Sequence, residues 1–215
     1  RQVLAPRLFA LTRAVAACKR RGDCASRDIY QFGVFTGYSM RAITGYLAEQ
    51  NVPFRRIIGF DSFVGLPDEH LSGGSSDYRQ RVASGDYKAG LYSSSRFYSG
   101  KGDAVLRGLE QVVGLPRCSS SEDGSQPTTP CVKWVKGFYN ESLTNRIAKS
   151  MAPALYVDAD ADLYSSTQQS LSWMLDHGLI QQDTVIYYDD WSPGHRHKGS
   201  LSGQQWAHAH LAHQY

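Results

Sequence analysis

The chain has 215 residues, 41% hydrophobic and 20% charged, which suits one globular domain with a full core. Twenty-three Lys and Arg against 20 Asp and Glu leave a net charge of +3. Neither sign gathers into a block, so charge points to no nucleic-acid arm and no acidic tail. No apolar stretch approaches the roughly 18 to 20 residues that cross a bilayer, and no secretory leader pattern opens the chain. The chain as given reads as soluble, with the cytoplasm as the expected location.

In chain order, residues 2 to 18 have the periodicity of an amphipathic helix, and Asp28 to Val34 form a short apolar run ending in a glycine turn, a first strand. Ser39 stands as an N-cap before the helical pattern MRAITGYLAEQ, and RRIIGFD is a second buried strand. Pro67 to Gly100 is rich in Gly, Ser and Tyr and reads as a lid over about 68–100. A polar insertion follows at about 118–131, bracketed by Cys118 and Cys131, whose disulfide would close that loop. The other two cysteines, Cys18 and Cys24, form no zinc-type spacing, and the redox compartment stays open. VKWVKG, ALYVDAD and TVIYYDD are strands three to five, separated by the helical stretches SLTNRIAKSM and SSTQQSLSWMLDHG, the latter closed by Gly178. Strands alternating with helices predict one domain over residues 1–215, an α/β doubly wound, mainly parallel Rossmann-like sheet.

In such a sheet, ligands bind beyond the carboxyl ends of the strands. The first strand ends in Gln31-Phe32-Gly33-Val34-Phe35-Thr36-Gly37-Tyr38-Ser39, where glycines allow close backbone approach and a helix N-terminus follows. A plain structural turn would explain that pattern as well. The second strand ends in Asp61-Ser62, where an acid can hold two ribose hydroxyls or simply cap a turn. Without a third glycine or a phosphate-binding lysine motif, a nucleoside with an amino-acid tail, S-adenosylmethionine, suits the turn better than a dinucleotide. The fourth strand ends in Asp158-Ala159-Asp160-Ala161-Asp162 and the fifth in Asp189-Asp190. Converging carboxylates repel, so they need a cation, shared protons or divergent directions; hard oxygen ligands suit Mg²⁺, Mn²⁺ or Ca²⁺. Solvated loop acids are the blander alternative. His195, His197, His208, His210 and His213 crowd the end of the chain, as a solvated helix or a source of one base.

The series QFGVFTGYS, GFDSFVGLP, VKGFYNESL, DADLYSST and YYDDW resembles, in order and spacing, the macrocin O-methyltransferase-like family of class I S-adenosylmethionine-dependent methyltransferases, over roughly residues 28 to 210. The resemblance implies a divalent-metal-dependent O-methyltransferase of natural product biosynthesis, acting on a hydroxyl of a sugar, polyketide or phenol. It places the cofactor on Gln31, Gly33, Phe35, Thr36, Gly37, Ser39, Asp61, Ser62, Lys136, Gly137 and Phe138. It gives the metal, Mg²⁺ first, to Asp160, Asp189 and Asp190, with Asp158 in reserve. Asp162 is then the general base, and His195 a second candidate. Two departures are Gln31, where the family carries an acid, and the lack of two final strands before Tyr215. The expected partner is a small-molecule acceptor, with no nucleic acid and no membrane, and a homo-oligomer is compatible. The rivals are a metal-dependent glycosyltransferase, because Asp-x-Asp also binds nucleotide sugars, and a non-catalytic binding module.

Overall fold

The computed structural model describes residues 4–68, 76–85, 87–98, 102–119, 129–191 and 202–215. Five parallel strands form one sheet: β1 (Asp28–Phe32), β2 (Arg56–Asp61), β3 (Cys131–Lys136), β4 (Ala154–Ala159) and β5 (Val185–Tyr188), in spatial order β3-β2-β1-β4-β5. The chain leaves β1 toward β2 on one side and returns through β4 on the other. This order reversal opens a crevice at the carboxyl ends of β1 and β4.

Helices cover both faces. On one lie α1 (Leu4–Arg21), α2 (Tyr38–Glu49) and α4 (Asp103–Val113), whose Leu11, Ile43, Leu47 and Leu109 pack with Ile29, Ile57 and Val132 of the strands. On the other, Leu171, Trp173 and Met174 of α7 (Tyr164–Asp176) and Leu211 of α8 (Gly203–Gln214) meet Tyr30, Phe32, Ile58, Phe60 and Val157. Every residue of β1 and β4 is buried, as a strand covered on both faces requires. Short helices α5 (Tyr139–Ser142) and α6 (Asn145–Lys149) link β3 to β4, and α3 (Ser76–Ser84) lies in the long segment before α4.

Several boundaries differ from the sequence reading. The first strand stops at Phe32, and the helix cap is Gly37 at φ 75° rather than Ser39, which lies buried inside α2. A positive φ is cheap only for glycine, so the sharp exit from the turn falls there. Within SLTNRIAKSM the helix narrows to α6, Asn145–Lys149, with α5 ending at its first residue, and α4 is an element the sequence reading did not assign. Two disulfides form: Cys118–Cys131, as the loop suggested, and Cys18–Cys24, which fastens the end of α1 to the approach to β1.

The end of the sheet opposite the crevice is held by charge. Asp28, fully buried at the start of β1, accepts from Arg56 at 2.7 and 3.1 Å, from Arg55 at 3.0 Å and from the Ala152 amide at 2.9 Å. With four donors on one carboxylate, the desolvation of its charge is offset.

Candidate active site

A cavity of about 1000 Å³ opens at the carboxyl ends of β1, β2, β4 and β5. Its wall is built first by the turn after β1. Gly33, at φ 85°, passes so close to β4 that a Cβ there would stand 1.8 Å from the Asp160 carbonyl oxygen, so only glycine fits. The Asp61 carboxylate then organises the turn, accepting from the amides of Val34 at 2.7 Å, Phe35 at 3.1 Å and Phe63 at 2.6 Å. Burial raises the Asp61 pKa, while these backbone donors oppose the rise. These three amides take three of the roughly four acceptor positions of the carboxylate, two on one oxygen and one on the other, which leaves Asp61 room for a ligand hydroxyl on the oxygen that holds Phe63.

Of the residues assigned to the cofactor, Gly33, Phe35, Asp61, Ser62, Gly137 and Phe138 line the cavity. Gln31, Thr36, Gly37, Ser39 and Lys136 do not. Gln31 is fully buried, and its amide nitrogen donates back to the Gly33 carbonyl at 2.8 Å. Lys136 is exposed at the strand end. The segment read as a lid contributes Pro67, Asp68, Ala89, Gly90 and Tyr92 to the wall. It is seated on the turn: Tyr92 and Phe97 meet the Phe35 ring edge-on, and the Tyr98 hydroxyl donates to the Thr36 carbonyl at 2.6 Å.

Facing this half stand Asp160, Asp162, Asp189 and Asp190, all lining the cavity together with Asn140, Ser165, Ser166 and Gln169. Asp162 has φ 55° and sits at the centre of a three-residue turn closed by the Leu163 amide on the Ala161 carbonyl at 2.5 Å. Such turns are strained and rare for a non-glycine residue. His195 and His197 lie outside the described residues. His208 and His210 turn to different partners, the hydroxyls of Tyr188 at 2.9 Å and Tyr164 at 2.7 Å, so they do not form one site.

The cation of the aspartate cluster is a side chain the sequence reading missed. Arg7 of α1 donates from Nη2 to Asp160 at 2.9 Å and to Asp189 at 3.0 Å. Its Nε stands 2.6 Å from Asp158, an ion pair without an aligned hydrogen bond. The guanidinium also lies over the Tyr187 ring, 5.1 Å from its centre, and Arg7 is only 3% exposed. A signal existed: Arg7 falls on the stripe Leu11, Ala14 and Cys18 that buries α1, an odd place for a lone arginine. Burial drives the Asp158 pKa up to about 7 against the pull of Arg7. Asp160 is raised well above the usual range by burial and by the charges of Asp189 and Asp158.

The expected metal set of Asp160, Asp189 and Asp190 therefore does not fit a divalent ion as arranged. Among the described residues, no group of three His, Cys, Asp or Glu side chains is placed to hold a metal. Two of the three intended ligands already give an oxygen to Arg7. A like charge held about 4 Å from the guanidinium would be repelled by about 4 kcal/mol per unit charge at an effective dielectric of about 20.

The parallel sheet, its order and the cavity at its reversal define a Rossmann-like fold of the class I methyltransferase type. No family model matches the sequence, and no curated protein is similar to it in sequence. Among solved structures, the chain is similar to the O-methyltransferase NovP, with 18% identity and a TM-score of 0.54 over 86% of this chain and 64% of that one. It is also similar to CalS11, a calicheamicin methyltransferase, at 18% identity and TM-score 0.55 over 98% of this chain and 71% of that one. An apo form of CalS11, described as a TDP-rhamnose 3'-O-methyltransferase of calicheamicin biosynthesis, gives 17% identity and TM-score 0.56, covering 98% and 69%. The chain thus spans about two thirds of the length of these proteins. The likeness is one of fold; it does not extend to membership of the macrocin-like family. Among the described residues, no helix is long and apolar enough to cross a membrane.

Proposed function

We propose that the chain is an S-adenosylmethionine-dependent O-methyltransferase acting on a hydroxyl of a small natural product, such as a sugar. The observation that carries this reading is a single cavity. In it the glycine turn and Asp61 face Asp160, Asp162, Asp189 and Asp190 across the reversal point of the sheet. The structural neighbours NovP, described as an O-methyltransferase, and CalS11, described as a calicheamicin methyltransferase, support the same class.

When bound, S-adenosylmethionine supplies an electrophilic methyl group. The remaining work belongs to the protein. Asp61, at the end of β2, would hold a ribose hydroxyl, and Gly137 and Phe138, which line the same cavity, would flank the adenine. Asp162 accepts the proton of the acceptor hydroxyl as the oxygen–carbon bond forms and the carbon–sulfur bond breaks. Asp160 and Asp189, fixed by Arg7, orient the acceptor, and the seated 87–98 segment excludes water and holds the reactants close. No step is assigned to a metal, because Arg7 already holds the carboxylates assigned to it.

Titration calorimetry with S-adenosylhomocysteine tests the cofactor half. The parent protein is expected to bind, and Asp61→Ala to bind more weakly by roughly 1 to 3 kcal/mol, having lost the charge-assisted hydrogen bond to the ribose. Unchanged affinity in a folded Asp61→Ala protein removes Asp61 from the site. Binding of a nucleoside diphosphate sugar instead of S-adenosylhomocysteine would shift the assignment to a glycosyltransferase.

A further inference from the structure

Arg7 is the only cation for which the structure gives an ion pair with Asp158, Asp160 or Asp189 among the described residues. Its contacts have the features of a built site rather than a surface pairing. The guanidinium is buried, one nitrogen bridges two carboxylates, and a second faces a third. Tyr187 covers its face and reaches Asp189 with its own hydroxyl at 3.4 Å. The Tyr156 hydroxyl holds the Arg7 carbonyl at 3.4 Å. Helix α1 is in turn fastened by its buried stripe and by the Cys18–Cys24 disulfide, so the cation is delivered by a fixed element.

We propose that Arg7 stands in this protein in place of a divalent metal, as the resident cation of the aspartate cluster. The Asp160 and Asp189 side chains remain 29% and 25% exposed, facing the cavity, and there they serve as hydrogen-bond acceptors for hydroxyls of the substrate rather than as metal ligands. This rests on the methyltransferase reading only for the word substrate; the competition between guanidinium and metal stands by itself. Arg7 is a positioning residue, acting through the two carboxylates it holds.

The test is Mn²⁺ binding, followed by electron paramagnetic resonance on the full chain, with S-adenosylhomocysteine affinity measured separately. The parent protein is expected to leave Mn²⁺ free at about 1 mM, beyond the range of a specific carboxylate site. Arg7→Met keeps the apolar stem, removes the charge and should bind Mn²⁺ at least about tenfold more tightly, since the repulsion is gone. Arg7→Lys, which keeps a cation, should behave as the parent does. Adding Asp189→Asn to Arg7→Met should abolish the gained site. Mn²⁺ bound by the parent and lost in Asp189→Asn overturns the proposal, even if Arg7→Met does not fold. A folded Arg7→Met that gains no Mn²⁺ overturns it too. Failure to bind S-adenosylhomocysteine would instead count against the function and leave the Mn²⁺ result standing.

Discussion

Asp162 is, with Phe35 and Tyr92, a non-glycine residue of the cavity wall that takes a positive φ. Its φ of 55° and the tight turn around it place it in the cavity wall, where its charge is felt by Asp160. In the proposed mechanism it is the side chain that takes the proton of the acceptor hydroxyl, while Arg7 holds Asp160 and Asp189. Asp162→Asn is therefore expected to keep S-adenosylhomocysteine affinity while slowing single-turnover methyl transfer by about 10² to 10⁴-fold. A rate within about twofold of the parent would remove the base role. Asp160, Asp162, Asp189 and Asp190 were legible in the sequence because a parallel sheet puts every strand end on one edge, whatever the distances within the chain. Arg7 was not, since its partners lie 153 and 182 residues away and no strand end announces it. Gln31 and Ser39 were placed in the site by their position in a motif, and both are buried away from the cavity.

At the level of elements, the five strands were legible because each is a short apolar or aromatic run, buried throughout in β1 and β4 and only partly in the edge strands β3 and β5. Helix α4 was not, although its Val105, Leu109 and Val113 recur at helical spacing, because it follows a long polar segment. Boundaries failed where glycine geometry decides them, as at Gly37. The two ends of β1 have separate duties: its carboxyl end supplies the glycine turn, while Asp28 at its start binds the sheet edge through Arg55 and Arg56. Removing one member of a buried ion pair leaves its partners desolvated and unpaired. Asp28→Ala should lower stability by about 3 to 5 kcal/mol in a urea titration, with little change in cofactor affinity for the fraction that folds. A loss within about 0.5 kcal/mol would show that the arginines are satisfied by water.

Across the whole molecule, two disulfides and the arrangement of the cavity bear on different questions. Disulfides such as Cys18–Cys24 and Cys118–Cys131 persist in oxidising compartments and are rare in reducing ones. The insertion between Cys118 and Cys131 is closed by the bond its flanking cysteines suggested, whereas Cys18 and Cys24, six residues apart, signalled nothing by spacing. The cavity joins two halves of the fold that are far apart in sequence, the turn after β1 with Asp61 and the ends of β4 with β5. The central claim is that the first half holds S-adenosylmethionine and the second its acceptor. The most direct measurement is a crystal structure of the chain with S-adenosylhomocysteine. The nucleoside is expected in this cavity, with a ribose hydroxyl on Asp61 and its sulfur turned toward Asp160 and Asp162. A ligand bound elsewhere, or a cavity left empty at saturating ligand, would contradict it.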